Sequence, residues 1–269
     1  MKKIRKMLSK IYDIYWMLIT KHKKELFAKG EVSVYRYKDE IFCNGKDAFR
    51  SVVNKYKNKQ LDSFWNNKKE YSLSDFFPQR YNKVGIMIFD RFLPLYKDEK
   101  PVLMDIGCAT GEWSLRVAKE CKAVDGYEMS KELVETAKKM GQNIPNVHFY
   151  QANAKTMKLD KVYDGALIQG MLMYIDDLDV IYQILKNVYD HLKPGAYLCT
   201  RDTLNKEDKD VVFLYNFKTG YNGVYWSQKL YYKQYEKAGF KLVKQFLLDD
   251  VKTRRLHFIG RGAIWQKVE

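Results

Sequence analysis

Pro101 to Ser114, PVLMDIGCATGEWS, constrains the fold of this chain more than any other stretch. Val102, Leu103 and Met104 form an apolar run that leads into Asp105, Ile106 and Gly107. Small residues then carry the chain to Gly111. An amphipathic run follows, with Trp113, Leu115, Val117 and Ala118 set among Glu112, Arg116, Lys119 and Glu120. The pattern is that of a buried strand, a glycine-bounded turn and a helix, the repeating unit of a parallel sheet. Gly107 and Gly111 lack a Cβ, so a ligand is expected to approach bare backbone here. The spacing is G-x-x-x-G rather than G-x-G-x-x-G, and no Lys-Ser/Thr pair follows as in a phosphate loop. The ligand therefore need not be a pyrophosphate.

The rest of the body repeats the unit. Val84–Leu95 reads as a helix stopped near Pro94, and a strand at 101–106 leads to a helix at 111–121. A strand at 123–127, a helix at 131–141 and strands at 147–151 and 164–169 come next. A helix at 178–192 is closed by Lys193-Pro194-Gly195, and a strand covers 196–200. After a polar stretch come a helix at 229–238 closed by Gly239, then strands at 240–248 and 256–265. This alternation, ending in two successive strands, predicts a doubly wound α/β sheet with an antiparallel edge. DIGCATGEWS resembles motif I of the class I S-adenosylmethionine (SAM)-dependent methyltransferases, with Ala109 where that family usually has its middle glycine. The resemblance spans roughly residues 80–269. It implies SAM as cofactor and a seven-stranded, mostly parallel sheet in the order 3-2-1-4-5-7-6, with helices on both faces.

Glu128 ends the second strand some twenty residues after the glycine turn, where a carboxylate accepts ribose hydroxyls. It also precedes a helix, so a helix N-terminal acid is the alternative. The resemblance makes Glu128 the ribose ligand and Met129 its neighbour on adenine. Asn153, after the third strand, matches the adenine ligand with Ala154 beside it; alone, it would be a turn former. Asp105 matches the acid that positions the loop and the SAM amino group, with Gly107, Cys108 and Gly111 forming the loop. Gln169, closing the fourth strand, is expected beside the methionine part. Asp105 and Glu128 suit the sulfonium and ammonium of SAM, which a lysine-bearing loop would repel.

On the acceptor side, the fifth strand is expected to end at Cys199-Thr200-Arg201-Asp202. Asp202 is the candidate base, Arg201 the candidate holder of an anionic group, and a surface Arg–Asp pair is the alternative. Met171 to Tyr174 are expected to face the substrate, with Tyr174 grouped with Arg201 and Asp202. Asn216–Gln228 reads as a lid-like loop in which Tyr221, Tyr225 and Trp226 line the acceptor site or pack the sheet edge. His257 opens the last strand and is counted with them; His148 and His191 look structural. There is no Asn-Pro-Pro-Tyr, Asp-Pro-Pro-Tyr or Pro-Cys pair, which argues against base methylation and a nucleic-acid acceptor. No acidic cluster suits a divalent metal, so turnover is expected to survive EDTA. Loss on chelation, restored by magnesium, would overturn this.

Charge is uneven along the 269 residues: the net is +15, and residues 1–100 hold 23 Lys/Arg against 12 Asp/Glu. A basic front suggests an anionic partner. Residues 1–70 read as a basic accessory region of helical and mixed character, and 71–269 as the methyltransferase domain. Residues 1–29 read as a basic amphipathic helix that docks on the body, dimerises or touches an anionic membrane surface. Cys43, Cys108, Cys121 and Cys199 have no metal-ligand spacing, and neither a signal peptide nor a spanning segment is visible, so a cytoplasmic protein is expected. The function expected is methyl transfer from SAM to a small or extended polar acceptor, by preference a hydroxyl of a sugar or surface-glycan precursor. A small amine or phosphorylated metabolite is the alternative acceptor, and a non-catalytic SAM-binding protein is the alternative of another class.

Overall fold

The computed structural model describes residues 25–29, 32–37, 40–43, 45–47, 50, 78–206, 210–216, 221–252 and 257–268. The apolar run of the glycine motif is β4 (Val102–Ile106), whose residues point alternately to two buried faces. It pairs in parallel with β5 (Ala123–Glu128) and with β7 (Tyr163–Gln169). Beyond β5 lies β6 (Val147–Gln151), and beyond β7 lies β8 (Leu192–Asn205), both parallel. β12 (His257–Lys267) then pairs antiparallel to β8, and β11 (Phe240–Lys252) forms the edge. Numbered from β4 within this seven-stranded sheet, the order is 3-2-1-4-5-7-6, as the resemblance implied.

Helices cover both faces, which is why the central strands are apolar on both sides. On one face, Met104, Ile106, Ala166, Ile168 and Leu198 pack against α4 (Leu178–Asp190) and α5 (Gln228–Ala238). On the other, Leu103, Leu167, Cys199 and Ile264 meet α1 (Pro78–Met87), α2 (Glu112–Val117) and α3 (Lys131–Gly141). α1 starts before the expected Val84 and runs on through a π turn at Ile88–Phe92 and a 3₁₀ turn at Leu93–Leu95, which contains Pro94. The helix starts are capped by side chains, Ser130 for α3, Asp177 for α4 and Ser227 for α5. His191 is structural, as expected. Its Nε2 accepts from Leu159 N–H at 3.1 Å, so Nδ1 carries the proton donated to Asn187 O at 2.8 Å. All four cysteines are buried free thiols.

Three expectations are corrected. β8 does not stop at Thr200 but runs to Asn205, because β12 continues the ladder as far as Phe258 opposite Asn205. Asp202 therefore lies within the strand. Second, much of the expected lid loop is strand: β9 (Val211–Asn216) and β10 (Asn222–Trp226) form an antiparallel hairpin. This hairpin extends a sheet begun by β1 (Glu25–Lys29), β2 (Val32–Tyr37) and β3 (Glu40–Cys43), in the order β1-β2-β3-β9-β10. Third, Glu25–Lys29 is a strand, not the end of a helix. The remainder of the expected basic helix, residues 1–24, lies outside the described residues. The front of the chain also reaches the body through side chains: Arg50 Nη2 is 2.7 Å from Asp176 Oδ2, and Lys46 Nζ is 3.5 Å from Asp176 and 3.7 Å from Asp177. No helix among the described residues is long and apolar enough to cross a membrane.

Candidate active site

The turn after β4 is tied to the end of β5. Gly107 and Cys108 donate their N–H groups to Tyr127 O at 2.8 and 3.3 Å, and Gly111 N–H closes the turn on Cys108 O at 2.8 Å. Gly107 and Gly111 both adopt positive φ, +70° and +80°. Their missing Cβ atoms serve the chain itself first: a Cβ on Gly107 would stand 2.5 Å from Met171, and one on Gly111 2.4 Å from Phe149. Ala109, in place of the family's middle glycine, is held at φ +50°. A left-handed non-glycine residue costs about 1 kcal/mol. Ala109→Gly should therefore leave stability unchanged or raise it by up to about 1 kcal/mol, read by thermal melting; a clear loss would contradict the strain.

Glu128 takes the helix N-terminal role considered for it. Its Oε2 accepts from Ala109 N–H at 3.2 Å and its Oε1 from Ser130 N–H, the α3 cap residue, at 2.9 Å. The carboxylate thus braces turn to helix. It has about four lone-pair sites, so acceptor capacity remains for ribose hydroxyls. Met129 beside it is 68% exposed, an apolar side chain left uncovered at the rim. Asn153 caps the next turn, its Oδ1 accepting from Lys155 N–H at 2.9 Å, with Ala154 following at the same edge.

Asp105 is buried and accepts from the Ser114 hydroxyl at 2.6 Å. Burial pushes its carboxyl up to about 6, against the pull of Ser114, with a further upward push from Glu128. Gln169 donates its Nε2–H to Cys199 O at 2.9 Å, which orients the amide; its buried Oε1 then has no hydrogen-bond partner among the described residues. Such an orphaned acceptor is costly unless a donor meets it. Asp105, Glu128 and Gln169 Oε1 form an acceptor-only set around the turn. That acceptor chemistry fits the cationic head of SAM.

Past Gln169, β7 stops while β8 continues, and a 3₁₀ turn at Leu172–Tyr174 fills the edge. Neighbouring residues of β8 point to opposite faces. Asp202 is buried, with Tyr231 Oη donating to its Oδ2 at 2.7 Å while no well-formed hydrogen bond among the described residues reaches Oδ1. Burial pushes its carboxyl up to about 7; the Tyr231 hydroxyl, the Arg201 charge and, least, the Met173 backbone amide pull it back. Arg201, also buried, donates from Nη2 to Gln169 O at 3.2 Å.

The hairpin brings its aromatics to this edge. Tyr174 and Tyr221 stand edge to face at 5.9 Å, Tyr221 and Tyr225 share a hydroxyl contact of 3.0 Å, and Tyr225 packs on Phe258 at 4.4 Å. Trp226 instead packs on the main core and donates Nε1–H to Ile175 O at 3.1 Å, anchoring the segment that follows the 3₁₀ turn. His257 lies on the edge hairpin, paired with Asp250, which also meets Lys206.

Sequence reasoning missed Asp125. This buried carboxylate accepts from Tyr163 Oη at 2.7 Å and meets Lys161, while Tyr163 and Tyr127 share a 2.5 Å hydroxyl contact. The network ties the chain before β7 to the middle of β5. Its one sequence signal was a charged residue at an inward strand position. Among the described residues, no group of three or more His, Cys, Asp or Glu is placed to hold a metal ion.

Residues 103–195 match the family described as a methyltransferase domain. A malonyl-[acyl-carrier protein] O-methyltransferase of Halalkalibacterium halodurans is 32% identical over 90 residues, covering 30% of this chain and 32% of that protein. A 23S rRNA (uracil(1939)-C(5))-methyltransferase of Aliivibrio fischeri is 31% identical over 100 residues, covering 36% of this chain and 23% of that protein. The chain thus spans about a third or less of these relatives' own length. Among solved structures, the 1,6-didemethyltoxoflavin-N1-methyltransferase of Burkholderia thailandensis, with its substrate and S-adenosylhomocysteine bound, superposes with a TM-score of 0.58. It is 11% identical and covers 90% of this chain and 98% of that one, a likeness of fold. Residues 103–195 thus match a methyltransferase domain, on a sheet with the strand order that the resemblance to the class I SAM-dependent methyltransferases implied.

Proposed function

We propose that this chain transfers a methyl group from SAM to a small polar acceptor seated at the carboxyl ends of β7 and β8, beside Tyr174, Tyr221 and Tyr225. The observation that carries the reading is the acceptor-only set of Asp105, Glu128 and the orphaned Gln169 Oε1 around the glycine turn. When bound, SAM supplies a methyl carbon already activated by its sulfonium. The protein's task is then to align the nucleophile and exclude water. Glu128 would hold the ribose, Met129, Asn153 and Ala154 the adenine, and Asp105 and Gln169 the amino acid head, with Gly107, Cys108 and Gly111 shaping the turn beneath. Asp202 would take the proton of an acceptor hydroxyl on Oδ1, with Tyr231 fixing its other oxygen.

The tyrosine faces support a hydroxyl of a sugar or surface-glycan precursor as acceptor. The names of the relatives span O-, C- and N-methylation and do not select among acceptors. Transfer of labelled methyl from SAM by the full chain should be measured against nucleotide sugars and glycans, small amines and phosphorylated metabolites. Incorporation into a hydroxyl acceptor is expected. SAM binding with no transfer to any acceptor would favour a non-catalytic SAM-binding protein.

A further inference from the structure

Two arginines are buried on the α1-facing side of β8 and its neighbours, and they are satisfied differently. Arg80 is 9% exposed, ion-paired through Nε to Asp249, and donates from Nη1 to Thr203 Oγ1 at 3.1 Å. Arg201 is 5% exposed and forms no ion pair among the described residues. Its hydrogen bond goes to a neutral carbonyl, Gln169 O, and its buried Nε–H has no partner among the described residues. The adjacent Asp202 side chain is engaged instead by Tyr231. A buried guanidinium that makes no direct ion pair and leaves a donor unmet is a costly feature for a fold to carry.

Its surroundings point to the acceptor. Gly170, at φ +82°, lies against the guanidinium: a Cβ there would stand 2.6 Å from Arg201 Cζ, so the residue just past β7 leaves room for this group. Gly170 leads into the 3₁₀ turn at Leu172–Tyr174, and the Tyr174 ring meets Tyr221, which in turn meets Tyr225. Resting on the methyltransferase reading above, we propose that the acceptor carries an oxyanion group, carboxylate or phosphate, which pairs with the free Nε–H edge of Arg201. A planar guanidinium edge suits two oxygens of one such group. The methylated atom then lies elsewhere on the acceptor, and a neutral sugar is a poorer substrate than its acidic or phosphorylated counterpart.

The test uses the full chain saturated with S-adenosylhomocysteine, melted in increasing inorganic phosphate or malonate at constant ionic strength, for wild type and Arg201→Gln. Wild type should gain stability saturably with at least one anion, and the more effective one separates phosphate from carboxylate. Arg201→Gln should lose that gain, keep the S-adenosylhomocysteine shift, and melt no lower than wild type without anion, since an unpaired charge has been removed. A purely structural arginine would lower the melting temperature on replacement. Equal anion stabilisation of both proteins, no saturable anion effect in wild type, or a destabilised Arg201→Gln chain would each overturn the proposal. Failure of S-adenosylhomocysteine to bind wild type would instead overturn the methyltransferase reading beneath it.

Discussion

Glu128→Ala is expected to weaken SAM binding at least tenfold while leaving the chain folded. Two ribose hydroxyls on one carboxylate make charge-assisted hydrogen bonds of about 1.5–3 kcal/mol each before compensation, and tenfold corresponds to about 1.4 kcal/mol. The structure adds a second source of loss. Glu128 also receives the Ala109 and Ser130 N–H groups, so its removal frees the turn that shapes the site. Glu128→Gln keeps one acceptor oxygen and should fall between alanine and wild type. Calorimetry with thermal melting as a fold control reads the effect. Unchanged affinity in a folded Glu128→Ala chain would remove Glu128 from the site.

Asp202→Asn carries the larger expected effect on turnover, a loss of ~10²–10⁴ once an acceptor is known. Its carboxyl, pushed up to about 7 chiefly by burial, is a stronger base than an exposed aspartate. The rate in wild type should therefore rise with pH through about 7, and that limb should be missing in Asp202→Asn. Stability runs the other way. A carboxyl with a raised pKa in the folded state holds its proton where the unfolded chain has released it. Folding stability from this group is therefore full below the ordinary aspartate range and is lost as pH climbs towards about 7. Asp202→Asn should flatten that loss. SAM affinity should hardly change, since the cofactor residues sit at β4, β5, β6 and the end of β7. Near-normal turnover in the variant would refute the role. A parallel fall in SAM binding would make Asp202 structural.

The elements that carry the proposed cofactor residues were legible in the sequence because they are local. Strand, turn and helix follow one another within Pro101–Ser114, and Glu128 and Asn153 end the next two strands. The acceptor half depends on pairings between distant segments, which local periodicity does not reveal. β3 and β9 are joined across most of the chain, Glu40 opposite Asn216 and Cys43 opposite Phe213. The glycines of Asn216–Gln228 read as loop, yet Asn222–Trp226 is a strand laddered on β9. Asp202 looked like a residue past a strand end because the reach of β8 is set by β12. The unpartnered Gln169 Oε1 and Arg201 Nε are properties of packing alone.

A crystal structure of the full chain with S-adenosylhomocysteine tests the central claim most directly. The account predicts ribose hydroxyls on the Glu128 carboxylate, the homocysteine ammonium on Gln169 Oε1 or Asp105, and the sulfur facing Tyr174 and Arg201. Density for the ligand away from the Gly107–Gly111 turn, or no binding by calorimetry at millimolar concentration, would contradict it.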